Sequence, residues 1–369
     1  MQPFVPEELP LKNINWASFI SIMGKANRAV ANLNGVLYGI PNPAILLSPM
    51  TTQEAVLSSK IEGTQADFQD VLKFDAGETV EEESRKQDIH EIRNYRKALS
   101  RGIKLLEEKP FCLNSLLEMH GILLDSVRGS DKGRGYFRTI QNWIGTPDTP
   151  LKEAMFVPPA PMYLMDYLSA WEKYYHAEEP DPLVQLAIVH GQFEIIHPFI
   201  DGNGRMGRMI IPLFLYEKKL LSHPCFYLSA YFEAHRDEYV MKLRAIGNPG
   251  AWTDWILFFL TAIATQAEQN SNRAKAIQDL YEKLKAKMID ITHSQYAIPI
   301  LDRMFERPVS RSSDFFDQPN MPSIPMVMTI LGKLKKHGIL KSLRQGSGRR
   351  AQILVLAELV NLCEGKEIF

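Results

Sequence analysis

The chain has 369 residues, 45% of them apolar and 23% charged, with no excess of glycine or proline; this excludes a disordered or fibrous protein and leaves room for two or three domains. Lysine and arginine (42) nearly balance aspartate and glutamate (43), so no chain-wide field draws the protein toward nucleic acid or anionic lipid, and such partners must be met locally. Cys112, Cys225 and Cys363 lie too far apart for a disulfide framework or zinc knuckle, and neither a signal region nor a run near the ~20 apolar residues of a membrane span is evident, so a soluble cytoplasmic protein without membrane contact is expected.

Apolar residues recur at helical spacing from Ile14 to Leu37, where Gly39, Pro41 and Pro43 break the pattern. A second helix is predicted from Thr52 through Ser58 and Glu62, stopping at Gly63. An acidic run at Glu78 to Glu83, read as a solvated loop or a helix start, precedes a long amphipathic helix, Asp88 to Glu107, and a further helix runs to Leu124. Gly129, Gly133 and Gly135 then open an irregular segment. Strand-like alternation over Phe137 to Ile144, turn chemistry at Thr146 to Pro150 and a short run Ala154 to Val157 predict a β-hairpin.

Helices are expected again at Met162 to His176, Asp181 to Ile196, Gly204 to Lys219, Phe232 to Ala245, and Ala251 to Lys287 with a break. Three short helices follow at Gln295 to Glu306, Val309 to Phe316 and Ser323 to His337. After them come a strand from Ile339 to Leu343, a turn at Gly346 to Gly348 and a strand from Ala351 to Val355, the order of a winged helix-turn-helix. The expected class is all-α with one β-hairpin. Its division is a helical region over 1–110, a core over 111–268, a linker helix over 269–289 and a winged-helix domain over 290–369.

The segment His197-Pro198-Phe199-Ile200-Asp201-Gly202-Asn203-Gly204-Arg205-Met206-Gly207-Arg208 lies between two apolar helical patterns. Backbone N–H groups around Gly202, Asn203 and Gly204 can form an anion nest at the new helix's N-terminus, and Arg205 and Arg208 share a face from which both reach phosphate oxygens. Asp201 offers a hard oxygen for magnesium, and His197 is suited to take a proton from a hydroxyl at neutral pH. A lone histidine at a helix end is usually structural; the loop around this one makes it the catalytic candidate. His190 reads as a packing residue, because two histidines without a third ligand make a poor metal site.

The twelve residues from His197 to Arg208 resemble the signature of the Fic (Fic/DOC) family, HPFx[D/E]GNGRxxR, at every position. The resemblance implies a Fic-type helical bundle that transfers AMP from ATP to a protein Tyr, Thr or Ser hydroxyl. His197 would be the general base and Asp201 the Mg2+ ligand. Gly202, Asn203 and Gly204 would cradle the α- and β-phosphates, with Arg205 and Arg208 on the β- and γ-phosphates. It also implies that Asn142, Trp143, Phe156 and Val157 belong to a flap that docks the target by strand addition, and that Tyr231 lines the nucleotide pocket. Upstream, Ser58 to Gly63 is similar to the family's inhibitory motif [S/T]xxxE[G/N], which implies that Glu62 pairs with Arg208 and blocks the γ-phosphate.

Lys333, Lys335, Lys336, Lys341, Arg344, Arg349 and Arg350 fall in one stretch without an acidic residue, an electrostatic footprint for a phosphate backbone. Winged helices also serve as protein-docking or homodimer modules. Three readings follow: an AMP transferase restrained by Glu62, a DNA-binding regulator with a nucleotide-sensing body, and a hydrolase that removes AMP.

Overall fold

The computed structural model describes residues 2–145, 153–248, 251–316, 318–347 and 350–369. Its α-helices, in chain order, are α1 (Ile20–Gly39), α2 (Pro43–Leu46), α3 (Ser48–Ile61), α4 (Phe68–Asp75), α5 (Glu83–Glu108), α6 (Leu113–Leu123), α7 (Leu164–His176), α8 (Pro182–Ile196), α9 (Asn203–Glu217), α10 (Ser229–Ala234), α11 (Arg236–Ala245), α12 (Ala251–Thr292), α13 (Ala297–Glu306), α14 (Ile324–Lys336) and α15 (Ala357–Glu364). The strands are β1 (Val309–Arg311), β2 (Lys341–Arg344) and β3 (Ile353–Val355). The protein is therefore mostly helical, as expected. Among the described residues no helix is long and apolar enough to cross a membrane.

Helix α8 is the axis of the core. Its N-terminus is set by Asp181, whose Oδ1 accepts from the N–H groups of Leu183 and Val184 at 2.9 Å each, with Pro182 in the first turn. Apart from Pro182 and Glu194, every residue of α8 is buried. An element apolar on all sides needs cover all round, and α1, α7, α9, α11 and α12 supply it. Two indoles reach its backbone: Trp171 Nε1 donates to Val189 O at 2.9 Å and Trp255 Nε1 to Ala187 O at 2.7 Å. Helix α3 lies between α5 and α10, with its C-terminal end directed at the start of α9.

Several boundaries differ from expectation for identifiable reasons. The helix predicted at Val309 to Phe316 is instead β1 followed by a 3-10 turn, Ser312–Phe315. Val309 and Arg311 pair antiparallel with Val355 and Ile353, and this long-range pairing overrides the helical spacing of the apolar residues. The sheet order is β1-β3-β2, antiparallel throughout. The predicted helix Phe232 to Ala245 is two helices parted at His235, whereas α12 runs unbroken and contains all of 269–289.

Among the described residues the predicted hairpin is represented by an antiparallel bridge between Ile144 and Phe156, and its turn at 146–150 lies outside them. The segment before it is held elsewhere. Arg138 N–H donates to Pro198 O at 2.9 Å and Asn142 Nδ2 to Phe199 O at 2.9 Å, so this stretch is bound to the loop after α8 rather than forming a strand.

Candidate active site

The loop after α8 begins with a left-handed residue. His197 has φ 51° and ψ 59° and closes α8 by donating its N–H to Phe193 O at 3.0 Å. That conformation costs about 1 kcal/mol or more for a residue with a Cβ, and the surroundings offset it. Arg138, 4% exposed, donates Nε to His197 O at 2.9 Å and Nη2 to Pro159 O at 2.6 Å and Ile196 O at 3.3 Å. A cation on the final carbonyls of a helix is favourable both for its dipole and for its unpaired acceptors. Burial pushes the Arg138 guanidinium down to about 10, still charged at neutral pH.

Phe199 anchors the middle of the loop. Its ring stacks on the His120 imidazole at 3.8 Å, and its N–H and C=O bond the Asn203 side chain at 2.8 Å each. His120 in turn has a definite tautomer. Gly135 N–H donates to its Nδ1 at 3.0 Å, so Nε2 carries the proton given to Asp201 O, also at 3.0 Å. Burial lowers this imidazole to about 4 and keeps it neutral. Gly202, at φ 81°, then turns the chain into α9, a backbone state natural to glycine.

His197 has its proton placed by geometry. Nδ1 faces Glu194 O at 3.2 Å; a carbonyl only accepts, so Nδ1 bears the hydrogen and Nε2 carries the free lone pair. Burial pushes the imidazole down to about 4, against the opposing Glu194 carbonyl and the Glu62 and Asp201 charges. It is neutral, and a base, across the physiological range.

Both arginines of the loop are buried, and each has carboxylate partners. Arg205, 4% exposed, reaches Glu91 Oε2 at 3.1 Å and Asp201 Oδ1 at 3.5 Å. Arg208, 2% exposed, donates Nε to Ser58 Oγ at 2.8 Å, and Nη2 to Ser58 O at 2.8 Å and to Glu62 Oε1 at 2.6 Å. Partial desolvation against α9 would raise the Glu62 carboxyl, but the Arg208 guanidinium beside it holds it below its ordinary value. A Cβ at Gly204 would collide with Glu62 Oε1. The carboxylate thus lies against the first turn of α9, where the helix dipole and free N–H groups favour an anion.

Asp201 takes Gly202 N–H on Oδ1 at 2.6 Å, and its Oδ2 lies 3.5 Å from Lys132 Nζ. Among the described residues no group of three or more His, Cys, Asp or Glu side chains could enclose a metal. One carboxylate oxygen beside a phosphate cradle fits an ion that arrives on phosphate oxygens and water. His190 is not a metal ligand candidate: its nitrogens meet Gly207 O at 3.1 Å and Tyr239 Oη at 2.9 Å, and its ring stacks on Trp255.

With this geometry in view, the chain can be set beside known proteins. Residues 20–104 match the family model described as Fic/DOC family N-terminal, and residues 110–215 match that of the Fic/DOC family itself. The chain belongs to the Fic/DOC family. It is 27% identical over 177 residues to a probable protein adenylyltransferase of Aquifex aeolicus, covering 48% of this chain and 51% of that one. It is 30% identical over 112 residues to the protein adenylyltransferase fic-1 of Caenorhabditis elegans, covering 30% of this chain and 20% of the other. The chain thus spans about half and about a fifth of these relatives. Among solved structures, a Fic family protein from Desulfovibrio desulfuricans G20 superposes with a TM-score of 0.59 at 17% identity, covering 96% of this chain and 98% of that one. A Fic domain containing signaling protein from Bacteroides thetaiotaomicron gives 0.55 at 16%, covering 70% and 97%. These two likenesses are of fold.

Within the Fic core the predicted residues fall into three groups. His197, Asp201, Gly202, Asn203, Gly204, Arg205 and Arg208 surround one loop and helix start, and Ser58 and Glu62 close on it from α3. Asn142 touches the loop through Phe199 O, while Phe156 pairs with Ile144 and packs its ring 5.5 Å from Phe4. Val157 is buried and its carbonyl accepts the Phe4 N–H at 2.9 Å; Trp143 is 43% exposed. Tyr231 stacks on His235 at 4.1 Å. Four residues that sequence reasoning missed complete the surroundings: Arg138, His120, Glu91 and Glu194. The Glu194 carboxyl is raised by burial to about 8, and its Oε1 has no hydrogen-bond partner among the described residues.

Proposed function

We propose that the chain transfers AMP from ATP to a Tyr, Thr or Ser hydroxyl of a protein, and that Glu62 restrains this transfer. The observation that carries the reading is the Glu62 carboxylate seated on Arg208 and against Gly204. An acidic side chain there mimics what the site is built to take, an anion at the N-terminus of α9. Displacing it frees a buried guanidinium and a set of N–H groups for a polyphosphate.

In the proposed reaction the acceptor oxygen bonds to the α-phosphorus, the bond to the bridging oxygen breaks, and pyrophosphate leaves. The hydroxyl proton goes to His197 Nε2, the nitrogen left free by the Nδ1 contact with Glu194 O. Arg138 and Phe199 hold that imidazole and the loop in place, so little reorganisation accompanies the reaction. Asp201 is the carboxylate that would hold Mg2+, which supplies charge neutralisation on the phosphates. Asn142, Trp143, Phe156 and Val157 are proposed to receive the target's backbone, with Tyr231 beside the nucleotide.

The test is labelled ATP with the intact protein and its Glu62→Gly variant. Label on protein, stronger in the variant and absent with His197→Ala, is expected; no label with either form removes the reading. The hydrolytic reading is favoured by one observation, a Glu62 side chain 40% exposed and held ionised, able to orient water. Loss of AMP from a modified target, dependent on Glu62, would select it.

We read the C-terminal part as a winged helix, supported by the sheet β1-β3-β2 and the helix α14. Lys336, Lys341 and Arg350 are exposed, while three other cations of the stretch are engaged within the fold. Lys333 Nζ bonds Ile291 O and Thr292 O at 3.3 and 3.4 Å, Lys335 Nζ bonds Gln352 Oε1 at 3.0 Å, and Arg344 Nη2 bonds Ala351 O at 3.3 Å. The exposed side chains at the start of α14 include the apolar Ile324, Met326 and Met328, which suit a protein surface better than a phosphate backbone.

A further inference from the structure

A cleft of about 870 Å³ opens away from the His197 loop, between the first turn of α3, one face of α5, the segment 222–227 and residues 306–309. None of His197, Asp201, Gly202, Arg205 or Arg208 lines it. Its accessible apolar lining includes the half-buried Ile103 and Tyr216, with Leu72, Leu99 and Val309 buried among the other lining residues. The volume is that of a pocket for a small organic molecule.

The charges around this cleft are unevenly matched. Arg93 and Arg96 are both paired with Asp75, at 3.0 and 2.7 Å, and Arg101 is paired with Glu108 and Glu118. Lys97, Lys104 and Arg307 also line the cleft, and among the described residues none of the three has a side-chain hydrogen bond or ion pair. Lys97 and Lys104 are seven residues apart on α5, hence on one face about 10 Å apart along the axis. Of the lining carboxylates, Asp75 is taken by the two arginines and Glu306 by Arg303, leaving Glu107 alone without an ion partner among the described residues.

We propose that this cleft is a second ligand site, taking a phosphorylated small molecule whose apolar body lies on Ile103 and Tyr216 and whose phosphate meets Lys97, Lys104 and Arg307. Three unpaired cations at an open cleft with partly apolar walls, in a chain with net charge −1, favour an anion with an organic part over either a bare ion or a neutral ligand. The wall includes Ser48, Thr51 and Thr52 of α3, the helix whose other end carries Ser58 and Glu62. A ligand there touches the element that also holds Arg208. The site itself does not depend on the transferase reading.

The experiment uses the full chain with inorganic pyrophosphate as the probe for the anionic half, measured by calorimetry and by hydrogen exchange. Saturable binding is expected, weakened about tenfold or more in a Lys97→Ala, Lys104→Ala, Arg307→Ala variant and restored when the lysines are Arg and Arg307 is Lys. All three side chains are exposed, so the variants should fold. Slowed exchange is expected at 48–52 and 222–227. Equal binding to wild type and the triple alanine variant, slowed exchange confined to 202–208, or no saturable binding below about 10 mM would each overturn the proposal.

Discussion

Two stretches of this chain resemble phosphate sites when read as sequence, the loop from His197 to Arg208 and the basic run from Lys333 to Arg350, and the fold treats them oppositely. In the first, Arg205 and Arg208 are almost fully buried and are held by Glu91, Asp201, Ser58 and Glu62 at a helix N-terminus. Arg205 meets two carboxylates, and Arg208 meets the Glu62 carboxylate beside the Ser58 hydroxyl and carbonyl. In the second, Lys333, Lys335 and Arg344 bond carbonyl and amide oxygens of their own domain. The difference lies in burial and in the charge of the partners: the two loop arginines are buried against carboxylates, whereas these three C-terminal cations meet only neutral oxygens.

The sharpest way to break this contrast is His197→Ala, which should lower protein labelling from ATP by about 10²–10⁴-fold without changing the melting temperature by more than a few degrees. Retained labelling would mean that the loop binds nucleotide for another purpose. Glu62→Gly should raise labelling by tenfold or more, since it vacates the Arg208 seat; a fall instead would make Glu62 a participant. In that variant the acid limb of the rate should lie below the ordinary imidazole value of about 6.5, because burial holds His197 down to about 4.

A stability measurement sharpens the same comparison. Glu54 is buried and Glu194 nearly so, and desolvation raises their carboxyls to about 7 and about 8. A carboxyl raised in the fold contributes stability that is complete below its unfolded value, near 4.5, and is lost as pH rises through the folded value. Thermal melts should therefore weaken from pH 5 to pH 8.5, and Glu194→Gln should recover roughly 1–3 kcal/mol at the upper end. A flat profile would show Glu194 ionised and paired. The smallest effect is expected from Lys333→Ala, about 1 kcal/mol of stability from the freed carbonyls of α12, with duplex binding by the full chain unaltered at any salt.

The loop was legible because its chemistry is contiguous: glycines, a histidine, an aspartate and two arginines within twelve residues. Glu62 was legible only through resemblance, since 146 positions separate it from Arg208 and a lone glutamate at a helix end is otherwise ordinary. Arg138 and His120 gave no signal for a related reason. Each acts on backbone atoms brought close by tertiary folding, Arg138 on His197 O and His120 on Asp201 O, and no spacing within the sequence encodes that proximity. The helix misread at Val309 to Phe316 belongs to the same class, because its strand pairing is with residues more than forty positions away.

Helix α12 has a mechanical consequence. Its 42 residues make a stave about 63 Å long at 1.5 Å per residue, with Trp255 and Phe259 wedged beside His190 at one end and its final carbonyls clasped by Lys333 at the other. Such a stave has no joint along its length. Any swing of the C-terminal sheet relative to the His197 loop would have to be taken up beyond it, where the backbone at His293 turns left-handed with φ 47°.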